Sequence, residues 1–197
     1  MAKLIVSNIV SLDGCIAGPG DNPAVLPMDG AFDAYNLERL RAAGTLVLGR
    51  KTFEMFRSFW PGVRQVAESP PMLREIAELN GAMPKLVVSD SLVIEPGSPW
   101  GDARAVRRQQ AMAELARAKA ASTKELLVFG SRTLWNSLLQ AGLVDELHLM
   151  LGNVIVGAGG EAAFTGAAPQ TLRLVAERRF AGSQNVLLQY ACSGSQQ

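Results

Sequence analysis

Histidine and cysteine are nearly absent from this chain. Its 197 residues contain one histidine, His148, and two cysteines, Cys15 and Cys192. So few ligands, with no Cys-x-x-Cys pair and no His/Cys cluster, argue against a zinc or iron–sulfur site, and the expectation is that no metal is bound. One distant cysteine pair is no disulfide framework, so a reduced, cytoplasmic setting fits. An excess of one charge is missing too. The chain has 19 basic and 18 acidic residues, a net charge of +1, whereas a nucleic-acid binder needs a marked basic excess to displace counterions. No apolar run approaches the ~20 residues that span a bilayer. The start, Met1-Ala2-Lys3-Leu4-Ile5-Val6, lacks the long apolar core and cleavage signature of a signal peptide. Neither nucleic acid nor membrane is expected as a partner.

What is present is apolar, at 48% hydrophobic residues, which is too much for a disordered chain. The length suits one domain that can bury its own core. No internal repeat or linker divides it. The reading is a single domain over residues 1–192, with a disordered 193–197 tail.

Apolar β-branched runs alternate with helix-period segments, the mark of an α/β fold. Strands are predicted at Lys3–Val10, Thr45–Leu48, Lys85–Val88, Glu125–Phe129 and Asp145–Leu151, and a final hairpin at Leu172–Phe180 and Asn185–Tyr190. Helices are predicted from Phe32 to Ala43 with Gly44 as terminator, from Lys51 to Phe59 halted by Trp60-Pro61-Gly62, and from Ser69-Pro70-Pro71 to Leu79 with Asn80-Gly81 as the stop. Two more are expected at Gln109–Ala121 and Thr133–Ala141.

Two nucleotide-binding patterns nearly occur and fail on context. Gly157-Ala158-Gly159-Gly160-Glu161-Ala162 fits the Gly-x-Gly-x-x-Ala fingerprint. That fingerprint must open a helix, and Phe164 to Pro169 cannot supply one, so a glycine turn between strands is the better reading. Gly44 to Thr52 resembles a phosphate-binding Walker loop with one residue too many. Its interior is an apolar strand where polar, flexible residues are needed.

A third arrangement survives. Three strands end in small or polar residues with a helix or loop starting at once: Gly49-Arg50-Lys51-Thr52, Ser89-Asp90-Ser91 and Gly130-Ser131-Arg132-Thr133. Ligands of open α/β sheets sit beyond the carboxyl ends of the strands, with phosphates on helix N-termini. Arg50, Lys51 and Arg132 suit an anionic dinucleotide. Each turn alone would be an ordinary helix start; the three together point to a phosphate-rich ligand.

These motifs, with Val10-Ser11-Leu12-Asp13-Gly14, Leu143-Val144-Asp145-Glu146-Leu147 and the late Gly157-Ala158-Gly159-Gly160 with Phe164, resemble the dihydrofolate-reductase-like superfamily. The resemblance is specifically to the reductase domain of riboflavin biosynthesis and its stand-alone relatives, from Lys3 to Tyr190. It implies a three-layer α/β fold: a mostly parallel central sheet with an antiparallel C-terminal hairpin and helices on both faces. It also implies an NADPH-dependent reductase acting on a small heterocycle of aminouracil or pterin type, and a homodimer. The implied cofactor-binding residues are Ser11, Gly49, Arg50, Lys51, Thr52, Ser89, Phe129, Gly130, Ser131, Arg132 and Thr133. Departures from the family fall on the substrate side. Phe129 stands where an acidic residue is usual, Ser131 replaces a glycine, and Asn153-Val154-Ile155-Val156-Gly157 lacks the usual proline. These 197 residues hold none of the zinc ligands of the family's deaminase partner domain, which is not expected here.

Proton delivery falls to Asp13 or Asp33, the catalytic candidates, or to bound water. Asp33 is the nearest positional candidate on the helix after the first loop, with Asp29 and Glu38 behind it, yet an acid there also suits the helix dipole. Asp13 stands at the mouth of the sheet, as a substrate contact or as a loop organiser. His148 reads as a sheet-face or interface histidine. Arg104, Arg107 and Arg108 read as a solvated edge or as neighbours of an adenine-side phosphate, and Trp60 and Trp135 as core or substrate wall. The rival function is a non-catalytic NADPH-binding regulatory module on the same scaffold.

Overall fold

Seven consecutive buried residues, Leu4–Val10, form strand β1 at the centre of the molecule. In this computed structural model residues 2–166 and 169–192 are described; the 193–197 tail lies outside them. The remaining strands are β2 (Cys15–Ala17), β3 (Ala43–Gly49), β4 (Lys85–Val88), β5 (Arg104–Val106), β6 (Glu125–Phe129), β7 (Glu146–Leu151), β8 (Glu161–Ala162), β9 (Arg173–Arg179) and β10 (Val186–Ala191). The helices are α1 (Gly30–Ala42), α2 (Arg50–Gln65), α3 (Pro71–Ala82), α4 (Arg108–Ala121) and α5 (Arg132–Gln140).

Eight strands make one sheet in the order β5-β4-β3-β6-β1-β7-β10-β9, and β2 pairs with β8 as a separate two-stranded ribbon. Pairings from β5 through β7 are parallel, whereas β10 runs antiparallel to both β7 and β9. The fold is thus the mixed, mostly parallel sheet with an antiparallel C-terminal hairpin that the sequence implied.

Alternation along β1 assigns its side chains to two helical layers. Leu4, Val6 and Val10 pack with Ala111 and Leu115 of α4 and with Trp135 and Leu138 of α5. Ile5 faces the other way, onto Leu37 and Leu40 of α1, Phe53 of α2 and Ile76 of α3. Trp135 is fully buried and meets Phe164 edge-on, so it belongs to the core.

Several boundaries differ from the sequence reading, each for a physical reason. Gly44 does not terminate α1. The helix ends at Ala42 and passes through an extended Ala43 straight into β3, where a Cβ on Gly44 would lie 2.8 Å from the Lys124 Cβ. Helix α2 continues through Pro61 to Gln65. Packing of Phe56 and Trp60 against the core outweighs the hydrogen bond that the proline removes. Helix α3 likewise continues through Asn80-Gly81, because the buried Asn80 amide donates to the Ile76 carbonyl at 2.9 Å instead of breaking the helix. Strands β2, β5 and β8 have two or three residues each, too few to show a period. The Gly157–Gly160 stretch is a turn leading into β8, with Gly157 and Gly159 at positive φ and no helix behind it.

Candidate functional site

Strands β3 and β6 are parallel neighbours, so their carboxyl ends bring two turns side by side. The turn after β6 places both Gly130 and Ser131 at φ +55, which aims the chain back towards β3. A Cβ on Gly49 would lie 2.0 Å from the Ser131 hydroxyl, and one on Gly130 would lie 3.0 Å from Thr52 Oγ1. The Thr52 and Ser131 hydroxyls are 3.2 Å apart. The turns therefore interlock. Helices α2 and α5 start from them, and neither cap residue closes the first turn with its side chain, so backbone N–H groups remain for an anion.

A cleft of about 620 Å³ opens over these turns. Gly49, Arg50, Lys51, Thr52, Ser89, Gly130, Ser131, Arg132 and Thr133 all line it, so nine of the eleven residues named from sequence for cofactor binding converge. Each cation in the cleft has a carboxylate partner. Arg50 Nη1 lies 3.2 Å from Glu54, Lys51 Nζ 2.7 Å from Asp21, and Arg132 Nη1 2.6 Å from Glu161. Such partly exposed pairs contribute little, about 0–1 kcal/mol, so a phosphate can take over a partner at small cost. Ser89 Oγ accepts from the N–H groups of Ser91 and Leu92 at 3.2 and 3.0 Å, fixing the third turn.

Of the arginines read as a solvated edge or as neighbours of an adenine-side phosphate, Arg108 belongs to the cleft and pairs with Asp90 at 3.6 Å. Further lining residues were not named from sequence. Asp21 reaches the cleft from the loop after β2, and Met55 from the second turn of α2. Arg104 lies exposed on the edge strand β5.

Ser11, Asp13, Phe129 and Asp33 are not among the lining residues. Ser11 is buried, donates to Asp13 Oδ1 at 2.6 Å and accepts from the Cys15 N–H at 2.8 Å. Phe129 is buried in the core with its ring 6.2 Å from that of Phe56. The Asp13 carboxylate accepts from the N–H groups of Val156 and Gly157 at 3.1 and 2.8 Å, which has the geometry of a loop organiser. The Ser11 hydroxyl and those two amides hold Asp13 down at a pKa of about 2; such a carboxylate has no proton to give at neutral pH. Asp33 is half-buried, and burial together with the charge of Asp29 pushes its pKa up, the direction that suits a proton donor. His148 is enclosed in the sheet, with the Tyr35 hydroxyl 2.7 Å from Nδ1 and Glu146 2.8 Å from Nε2. Burial lowers its pKa despite the carboxylate. Among the described residues no group of three or more His, Cys, Asp or Glu is placed to hold a metal ion. No helix among them is long and apolar enough to cross a membrane.

Comparison with known proteins gives a family and a fold. The family profile described as the RibD C-terminal domain matches residues 2–188. No curated protein matches the sequence. Among solved structures, a protein from Shewanella sp. PV-4 described as a candidate riboflavin biosynthesis protein superposes with a TM-score of 0.70 at 20% identity, covering 98% of this chain and 99% of that one. RibD from Acinetobacter baumannii gives 0.67 at 15% identity; 98% of this chain covers 58% of that protein. The dihydrofolate reductase of Enterococcus faecalis, solved with NADP(H), gives 0.60 at 17% identity over 97% and 96% of the two chains. At these identities the likeness is one of fold.

Proposed function

The chain belongs to the RibD C-terminal domain family and shares its fold with a dihydrofolate reductase solved with NADP(H), and we propose that it is an NADPH-dependent reductase transferring a hydride to a small heterocycle. The observation that carries this reading is the interlocked pair of turns at Gly49–Thr52 and Gly130–Thr133, with four cations converging on one cleft. The residues present fit a phosphorylated dinucleotide. The N-termini of α2 and α5 would take the pyrophosphate, Gly49 leaves room for its close approach, and Arg50 and Lys51 would hold the 2′-phosphate. Ser89 and Arg108 flank the adenosine end.

When bound, NADPH supplies the hydride and becomes NADP⁺, while the substrate gains a C–H bond at a C=N or C=O carbon and a proton on the heteroatom. The protein's part is alignment and exclusion of water. Of the acids considered, Asp33 is suited to hold the proton, because its carboxyl is pushed towards the neutral form. Asp13 instead ties the β1 loop to residues 156–157 and shapes the mouth of the site.

The test is a pair of titrations. Arg50→Ala should weaken NADPH about tenfold or more and NADH little, since only NADPH loses a charged partner for its 2′-phosphate. Equal losses would remove Arg50 from that role. No NADPH binding by the parent protein would sink the reading.

A homodimer is part of the proposal, supported by the edge strand β9, in which six of seven residues are exposed. So is a cytoplasmic, reducing location, with which the two free, buried cysteines agree.

A further inference from the structure

We infer that the substrate of this site is a flat ring, uncharged or cationic, that stacks on apolar side chains and carries no phosphate. The inference rests on the reductase reading and concerns the carboxyl edge of the sheet beyond Gly130. Four segments meet there. The loop after β1 is tied to the chain after β7 through Leu12 N–H to the Val154 carbonyl at 2.8 Å and through the Asp13 carboxylate. The start of α1 is tied to the β9–β10 turn by the Ser183 hydroxyl donating to Asp29 at 2.6 Å and the Asn185 amide donating to the Pro27 carbonyl at 2.8 Å.

None of these segments offers a cation. Between Lys3 and Arg39 the chain has five carboxylates and no basic residue. Between Arg132 and Arg173 there is no lysine or arginine, and His148 in that stretch is enclosed by Tyr35 and Glu146. The turn from Phe180 to Val186 has none either. The four cations Arg50, Lys51, Arg108 and Arg132 all line the cleft assigned to the cofactor. Arg178, at the end of β9, is held by Glu38 at 2.8 Å, so a phosphate dianion beyond Gly130 would lose water and meet Asp13, Asp29 and Asp33 with no free cation among these segments.

Exposed apolar side chains stand on α2 and on the loops between β1 and α1. Lys51, Met55 and Phe59 follow one another four residues apart on one face of α2. The first two line the cleft, and Met55 and Phe59 are both exposed. Leu12 and Met28, from the loops between β1 and α1, are exposed as well. Phe59 is backed edge-on by Trp60 at 4.9 Å between ring centroids. Arg57, the nearest cation along α2, lies over the Phe53 ring at 5.3 Å. Large apolar side chains left exposed beside a ligand cleft mark a contact surface, and here the phosphate pole of α2 gives way to an apolar one within two turns.

The test uses two aminouracils that differ only in whether the side chain ends in a phosphate. Calorimetry measures each on the NADP⁺-loaded protein, which has no hydride to transfer, and NADPH oxidation measures turnover. The phosphate-free member should bind about tenfold more tightly and show the higher kcat/KM. Phe59→Ser should weaken it several-fold with NADPH affinity unchanged, and Met28→Lys should narrow the gap by improving the phosphorylated member. Preference for the phosphorylated member, or binding of neither, overturns the inference while NADPH binding leaves the reductase reading standing. Failure to bind NADPH removes both.

Discussion

Gly49 has no room for a methyl group, because a Cβ there would sit 2.0 Å from the Ser131 hydroxyl. Ser131 is in turn a non-glycine residue at φ +55, a conformation that costs of order 1 kcal/mol and persists only where the surroundings enforce it. The two residues therefore behave as one unit. Gly49→Ala should push the β6 turn away from α2 and weaken NADPH by about tenfold or more, with the fold retained. Adding Ser131→Gly removes the clashing hydroxyl and should restore most of the affinity. Titrations of the single and double variants check this; equal weakening in both would mean that the turns are not coupled. The chemistry of this contact was visible only as three weak glycine and serine motifs in the sequence. Nothing in residue order says that Gly49 and Ser131 touch, since the register of β3 against β6 sets their distance. Phe129 shows the reverse case: its position beside the turn was legible, but its burial against Phe56 depends on which face of β6 it occupies.

At the scale of elements, β9 stands out as the longer of the two edge strands of the sheet. Its partner β10 covers one side only, and Leu174 and Val175 remain exposed. An uncovered edge strand invites pairing with another chain. In solution the protein should sediment as a dimer, and Leu174→Lys should shift it towards monomer at micromolar concentration, as read by analytical ultracentrifugation. An unchanged dimer would place the interface elsewhere. Strands β1, β3 and β6 were legible as uninterrupted apolar runs, and α4 as an Ala-rich stretch. The helices that outran their stop signals were not. Pro61 and Asn80-Gly81 look like breaks locally, and only tertiary packing and the Asn80 side-chain bond override them. The β2–β8 ribbon was invisible for another reason: its strands are short and lie far apart in sequence, joined by Asp13 and the β7–β8 loop.

Over the whole molecule, a near-zero net charge conceals a division. The cofactor cleft gathers four cations, while the first 38 residues hold five carboxylates against Lys3 alone. Dissolved salt should therefore act unequally on the two ligands. Ions screen contacts over about 10 Å at 0.1 M, and each phosphate neutralised by a side chain is a contact that added salt competes for. Raising potassium chloride from about 50 to 500 mM should weaken NADPH by roughly an order of magnitude, while the dissociation constant of an uncharged substrate changes by less than about twofold. Parallel titrations across that range check the difference, and parallel losses would contradict it. The ionic strength of the surroundings then becomes a control on cofactor occupancy alone, set by where the chain keeps its arginines rather than by how many it has.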